Sequence, residues 1–239
     1  MKKIKHIEQI ADEFGINSKS LEFYGKFKAK IPLENINKNK KSKIVVVTAI
    51  TPTPLGEGKS TTAIGLTQGL GKLNKNVALT IRQPSLGPVF GHKGGGTGGG
   101  KTTVEPAVDI NLHFNGDFHA MESAHNLLSA MVDNTVYRNI IKDFYPENIT
   151  WRRVTDAEDR SLRSVITGTG GPTTSPIRST GFDISAASEI MAILALTDSY
   201  KDLRERLGNI VVGWKKDKMP VLAKEINAVG SMMALLKDA

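Results

Sequence analysis

The chain has 239 residues, 39% of them hydrophobic and 23% charged, ordinary for a globular fold and enough for one large domain or two small ones. With no Cys, disulfides, thiolate zinc sites and thiol nucleophiles are excluded. No run approaches about 18 apolar residues, and Met-Lys-Lys-Ile-Lys-His-Ile-Glu lacks an apolar signal core. No membrane span or secretory signal is therefore expected, and the cytoplasm is the default location. The net charge of +8 is concentrated in residues 1–43, where eleven Lys face five acidic residues. Lys38, Lys40, Lys41 and Lys43 cluster without the interleaved aromatics of a base-stacking platform. That segment reads as a solvated basic lead-in, and no nucleic-acid partner is expected.

In chain order, Ile4, Ile7, Ile10, Ala11 and Phe14 follow helical spacing up to a stop at Gly15. Leu21, Tyr24, Phe27 and Ile31 continue at steps near a helical period, interrupted by Gly25 and ended by Pro32. Residues 44–62 organise the rest. Ile44 to Val47 is a β-branched run expected as a buried strand. Thr53-Pro54-Leu55-Gly56-Glu57-Gly58-Lys59-Ser60 is a turn-rich loop, and Thr61 to Leu73 is compatible with a helix. Strand, Gly-containing loop, Gly-Lys-Ser and helix are the parts of a phosphate-binding P-loop, although Thr53 stands where the general pattern has its first Gly. In such a loop Lys59 meets the β/γ-phosphates and the Ser60 hydroxyl ligates Mg²⁺. The plainer reading is a Gly-rich turn with a solvated lysine.

Val77 to Ile81 is a second expected strand, so strand, helix and strand make one right-handed βαβ unit. Arg82 then lies at the carboxyl edge of the parallel sheet, where ligands of such sheets bind. Residues 86–101 include Gly94 to Gly100, a run of Gly and Thr that reads as a loop or a backbone-lined anion cradle between Lys93 and Lys101. Residues 109–125 hold three of the five His without a metal-binding spacing. Asp117 precedes an expected helix from Ala120 to Val132. Ligating Mg²⁺ or orienting substrate, and capping that helix, are both open to it. Residues 151–163 read as an exposed charged helix. Ile184–Leu207 reads as one amphipathic helix with Asp183 as N-cap and Gly208 as stop. Asn209 to Trp214 is a further apolar strand.

Several of these stretches resemble the amino-terminal part of formate–tetrahydrofolate ligase. They are Leu21-Glu22-Phe23-Tyr24-Gly25-Lys26-Phe27-Lys28-Ala29-Lys30, Thr51-Pro52 and the loop through Thr62, and Pro84-Ser85-Leu86-Gly87-Pro88. Asp109 to Phe114, Gly116-Asp117-Phe118-His119-Ala120, Gly181-Phe182-Asp183-Ile184 and Ala234 to Ala239 complete the set. Thr53 belongs to this family's form of the loop. The resemblance implies an α/β fold, a P-loop NTPase-like mostly parallel sheet flanked by helices and incomplete at its carboxyl end. It implies a helical lead-in over 1–43 and a nucleotide-binding domain over 44–239.

The implied reaction joins formate to tetrahydrofolate with ATP and Mg²⁺ through formyl phosphate. Thr53, Pro54, Leu55, Gly56, Glu57, Gly58, Lys59, Ser60 and Thr61 would bind the nucleotide, with Ser60 on the metal. Lys59, Arg82 and Asp117 are the implied catalytic residues, Arg82 holding the phosphoryl group through its planar fork. The family also implies a homo-oligomer, and the chain reads as an amino-terminal portion (a truncated gene product, a split subunit or a fragment) that lacks the folate acceptor site; a carboxyl-terminal partner chain is one expectation, and a nucleotide-binding fragment without ligase activity by itself is the alternative. Two departures stand out: Gln83 where the family usually has Glu, and Thr102-Thr103-Val104-Glu105 where a more apolar stretch is expected.

Overall fold

A computed structural model describes residues 4–32, 42–51, 53, 56–87, 96–171 and 173–239. The fold is mixed α/β, with helices and five small two-stranded sheets among these residues. Contacts divide the chain into residues 1–115 and residues 116–239.

In residues 1–115, α1 (Ile7–Phe14) is the expected first helix, closed by Gly15 in the left-handed conformation. Residues 21–30 are not helical. They form a hairpin of β1 (Glu22–Phe23) and β2 (Ala29–Lys30), because Gly25 at φ +73° turns the chain and a few apolar residues near a helical period do not outweigh that. α2 (Lys59–Lys72) is the helix expected after the Gly-rich loop. Its Ile64 is buried against a second hairpin, β3 (Gly98–Gly99) with β4 (Thr102–Thr103). A Cβ on Gly98 would meet the Ile64 side chain at 2.9 Å, so glycine lets the hairpin approach α2. Gln68 donates to the Thr103 carbonyl at 3.1 Å and holds the same contact. The hairpin accounts for part of the Gly-rich 86–101 stretch; residues 88–95 lie outside the described residues. α3 (Ala107–Asn111) follows.

The expected strands at 44–50 and 77–81 carry no ladder hydrogen bonds among the described residues. Ile44, Val45, Val46 and Ile50 are 87%, 68%, 77% and 105% exposed. A β-branched run favours extended backbone, but a strand exists only through a neighbour's N–H and C=O groups, and among the described residues neither segment has one.

Residues 116–239 hold the larger core. α4 (Asp117–Tyr137) buries Phe118, Met121, Ala124, Leu128 and Val132 along one helical stripe. Burial of each such large side chain is worth about 1.5–3 kcal/mol. The stripe packs in one cluster with Ile190 and Ile193 of α5 (Glu189–Leu196), Leu203 and Leu207 of α6 (Tyr200–Gly208), and Met232 of α7 (Val229–Leu235). The hairpin of β9 (Val211–Trp214) and β10 (Pro220–Leu222) adds Val212 and Val221.

Two expectations are corrected here. Residues 151–163 are not an exposed helix. Trp151 and Val154 are buried, and β5 (Arg153–Thr155) pairs in parallel with β8 (Phe182–Ile184). The remaining ladder is antiparallel, β6 (Val165–Thr167) with β7 (Arg178–Thr180). The single helix expected over 184–207 is two, α5 and α6. Asp183 lies in β8, while Ser188 caps α5 through Ile190 N–H at 3.1 Å and Ser199 caps α6 through Asp202 N–H at 3.2 Å. Thr197-Asp198-Ser199 interrupts them because short oxygen-bearing side chains compete with the helical backbone.

Polar groups on α4 fix the strands. Buried Asp133 accepts from Arg178 Nε at 3.0 Å and from Arg153 Nη2 at 2.8 Å, so one carboxylate ties β7 and β5 to the helix. About two turns earlier, Asn126 accepts Val154 N–H at 2.9 Å and donates to Val154 C=O at 3.0 Å. His125 stacks on Trp151 with centroids 4.2 Å apart. Its Nε2 faces the Arg152 carbonyl at 3.0 Å and so carries the proton; its Nδ1 accepts from Ser188 Oγ at 2.8 Å. Burial pushes His125 down to about 4, against the smaller upward pull of the Arg152 carbonyl and Asp183.

Two stability predictions follow from this core. An Asp133→Ala change leaves two guanidinium groups without their carboxylate, and a loss of about 3–5 kcal/mol is expected in urea unfolding of the wild type against the variant. His125 is neutral when folded and near 6.5 when unfolded, so the unfolded state binds the extra proton between about pH 6.5 and 4. Its contribution, up to about 3 kcal/mol, is complete above pH 6.5 and lost as pH falls through 4. Urea titrations from pH 7.5 to 4 should show that slope in the wild type and a flatter one in His125→Gln.

Candidate functional site

The loop before α2 is built by glycines. Gly56 at φ +83° and Gly58 at φ +67° take left-handed conformations that side chains rarely adopt, and the Gly56 N–H closes a turn on the Thr53 carbonyl at 3.1 Å. Gly58 is the N-cap of α2, and the first helical bond runs from Thr62 N–H to Gly58 C=O at 2.8 Å. The N–H groups of Lys59, Ser60 and Thr61 therefore have no acceptor within the helix. Together with the helix dipole they can stabilise an anion. Pro54 and Leu55 lie outside the described residues.

Glu57 and Lys59 turn toward each other above this turn. Lys59 Nζ donates to Glu57 Oε2 at 2.5 Å, and Glu57 Oε1 accepts the Thr53 N–H. The Lys59 ammonium, followed by the Thr53 N–H, holds the Glu57 carboxyl below the usual carboxylate range. Ser60 is the second residue of α2 and half-buried. Mg²⁺ bound at such loops takes one hydroxyl with phosphate and water oxygens, so Ser60 fits that donor set. No group of three or more His, Cys, Asp or Glu able to hold a metal occurs among the described residues.

Arg82 is exposed, on a segment with a fixed seat. Gln83 Nε2 donates to the Ile110 carbonyl at 3.0 Å and to Asn115 Oδ1 at 3.0 Å. Because a backbone carbonyl only accepts, the atom facing it is the amide nitrogen. His113, buried and at φ +58°, places Nε2 2.6 Å from the Pro84 carbonyl and so donates from that nitrogen. Lys28 Nζ pairs with Asp109 at 2.5 Å and lies 6.0 Å from the Phe114 ring centroid. Asp109 to Phe114, singled out in the sequence for its histidine, thus acts as the seat of residues 83–84. Gln83 takes this seat because its amide nitrogen donates where a carboxylate could only accept.

Lys59, Ser60 and Thr61 stand together at the start of α2, with Glu57 against Lys59. Arg82 stands on a second segment of residues 1–115. Asp117 is the first residue of α4 in residues 116–239, half-buried behind the N-cap Gly116 at φ +84°. Open clefts in that part include one of about 320 Å³ (lined by Arg152, Arg163 and Asp183 among others) and one of about 460 Å³ (lined by Arg204 and Lys224 among others). Neither is lined by Asp117.

These features define a mixed α/β chain with a Gly-rich loop able to hold an anion over a lysine and a serine at a helix start. A family model described as formate–tetrahydrofolate ligase matches residues 1–239. The chain belongs to the formate–tetrahydrofolate ligase family. It is 50% identical over 241 residues to a formate–tetrahydrofolate ligase of Syntrophus aciditrophicus (strain SB), covering 100% of this chain and 43% of the relative. It is 52% identical over 236 residues to that of Cutibacterium acnes (strain DSM 16379 / KPA171202), covering 98% and 42%. The corresponding protein of Caldicellulosiruptor bescii is 50% identical over 239 residues, covering 99% and 43%. The chain thus spans less than half the length of these curated relatives.

Replacing Gln83 by Glu turns a donor into a charged acceptor facing the Ile110 carbonyl. A cost of about 1–3 kcal/mol is expected at neutral pH. Hydrogen exchange should quicken across 80–87 and 110–115 and recover at acid pH, where a protonated carboxyl can donate again; unchanged exchange would show that the seat does not depend on the amide.

Proposed function

We propose that this chain carries the phosphate side of a formate–tetrahydrofolate ligase. The observation that carries this reading is the family match over the whole chain, with Gly56-Glu57-Gly58-Lys59-Ser60 at the start of a helix. In the proposed reaction an oxygen of formate attacks the γ-phosphorus of ATP, the bond to the ADP oxygen breaks, and formyl phosphate forms. The folate amine then attacks the formyl carbon and phosphate leaves, giving 10-formyltetrahydrofolate.

The chain's own residues have positioning and electrostatic work to do in such a transfer. The loop N–H groups and Lys59 would bear on the β/γ-phosphates, and Thr53 to Thr61 would form the cradle. Ser60 would hold Mg²⁺, which neutralises developing charge on the phosphate oxygens when bound. Arg82, held in place by Gln83, would clamp the phosphoryl oxyanion bidentately. Asp117 would orient substrate or metal from the start of α4. That Lys59 already holds a carboxylate beside the loop supports its role as an anion ligand.

The finer architecture is part of the same proposal. Residues 44–50 and 77–81 would be parallel strands on either side of α2 in a P-loop NTPase-like sheet. Their exposed β-branched faces support this, since such surfaces call for a neighbour. Residues 1–43 would be the lead-in to a nucleotide-binding domain over 44–239. A carboxyl-terminal partner chain would supply the folate site, and homo-oligomer formation in the cytoplasm completes the reading. No helix among the described residues is long and apolar enough to cross a membrane. The span of about 43% of the relatives favours a second reading, a nucleotide-binding chain without ligase activity by itself.

Titration calorimetry with MgATP should show binding weakened about ten- to hundredfold in Lys59→Ala, the size of a lost charge-assisted contact. ATP, Mg²⁺, formate and tetrahydrofolate supplied to the chain, alone and with the remaining polypeptide of a relative, should yield 10-formyltetrahydrofolate in the second case. No formyl transfer in either mixture rejects the ligase reading, while MgATP binding that depends on Lys59 would leave the second reading standing.

A further inference from the structure

The Lys59–Glu57 pair has a functional meaning beyond loop geometry. A phosphate in this cradle needs the Lys59 ammonium and backbone N–H groups of the loop as donors. Glu57 takes one of each: Oε2 accepts from Lys59 Nζ at 2.5 Å, and Oε1 accepts the Thr53 N–H. A carboxylate and a phosphate face present the same chemistry here, two coplanar anionic oxygens to a fork of donors. The glycines on either side, Gly56 and Gly58 in left-handed conformations, turn the chain so that Glu57 reaches both the residue four positions before it in the turn and the lysine two positions after it.

We propose that Glu57 is an internal competitor for the phosphate cradle, a carboxylate of the chain's own that the nucleotide must displace from Lys59 in order to bind. This rests on the reading of the loop as a nucleotide site. The loop then carries no uncompensated cation when nucleotide is absent, and it discriminates by charge. A single carboxylate or a monoanion exchanges one weak pair for another. A triphosphate, with several oxygens for the loop N–H groups and Lys59 together, displaces Glu57 at a net gain. The competition is weak by its surroundings: the Lys59 side chain is 44% exposed and the Glu57 side chain 19%, and an ion pair open to solvent is screened.

The test is calorimetric titration of the full chain with MgATP and, separately, with inorganic tripolyphosphate. Glu57→Gln keeps an oxygen for the Thr53 N–H and removes the charge from Lys59, so it separates loop shaping from competition. Both probes should bind Glu57→Gln about fivefold more tightly than wild type, the size of an exposed ion pair. In the Lys59→Ala background the same substitution should give no gain, because there is no cation to free. Equal or weaker binding by Glu57→Gln, with Lys59→Ala still weakening the wild type, overturns the competition and leaves the nucleotide site intact. A gain that persists without Lys59 overturns it as well, since the effect would then be general charge relief. Absence of binding by both wild type and Glu57→Gln overturns the nucleotide reading on which the proposal rests.

Discussion

A single buried carboxylate sets the layout of residues 116–239. Asp133 sits on α4 between two guanidinium groups, one from β5 and one from β7. A charge that deep is tolerated only when paired and hydrogen-bonded, so the strands have little freedom in how they lie on the helix. Asn126 and His125 extend the same control along α4, by bonding Val154 through both its backbone groups and by joining Trp151, Arg152 and Ser188. The apolar stripe from Phe118 to Val132 supplies the burial free energy, which is non-directional, while these polar contacts select one strand arrangement among many.

Residues 1–115 are organised by the opposite means. Among their described hydrophobic residues only Ala11 and Ile64 are buried, so apolar packing holds little in place. Position comes from directed contacts instead: Gln83 and His113 seat the segment after Arg82, Lys28 with Asp109 braces the seat, and Gln68 and Ile64 fasten α2 to the 98–103 hairpin. Such a part suits the handling of anions. Lys59 and Arg82 stay exposed, and the segment that follows Arg82 is held through Gln83 and Pro84. Lys59 itself pairs with Glu57, two positions before it.

Local order and chemistry were the legible parts of the sequence. The helices at 7–14, 59–72 and 117–137 fall where the sequence places helices at 4–14, 61–73 and 120–132, and the loop from Thr53 to Thr61 is contiguous, so its resemblance is read without tertiary information. Residues 20–30 and 151–163 misled for a common reason. A handful of apolar or charged residues fits a helical period by chance, whereas the Gly25 turn and the pairing of Arg153 with Phe182 decide the outcome. Splitting 184–207 into two helices rested on Ser188 and Ser199, whose capping role depends on backbone geometry that residue type suggests but does not impose. The strands expected at 44–50 and 77–81 show the limit from the other side, since β-branched composition states a preference and only a neighbouring strand satisfies it.

By itself the sequence determined the α/β class and the family, because each is carried by contiguous residues or by long periodicity. Tertiary structure alone decided which partners the charged and polar groups take. Asp133 meets Arg153 and Arg178 from 20 and 45 residues away, and Gln83 meets Ile110 and Asn115 from 27 and 32 away. Even Lys59, two positions from Glu57, meets it across Gly58, which is in the left-handed conformation. Hydrogen bonds and ion pairs require distance and direction together, and those are properties of the folded backbone, not of residue order.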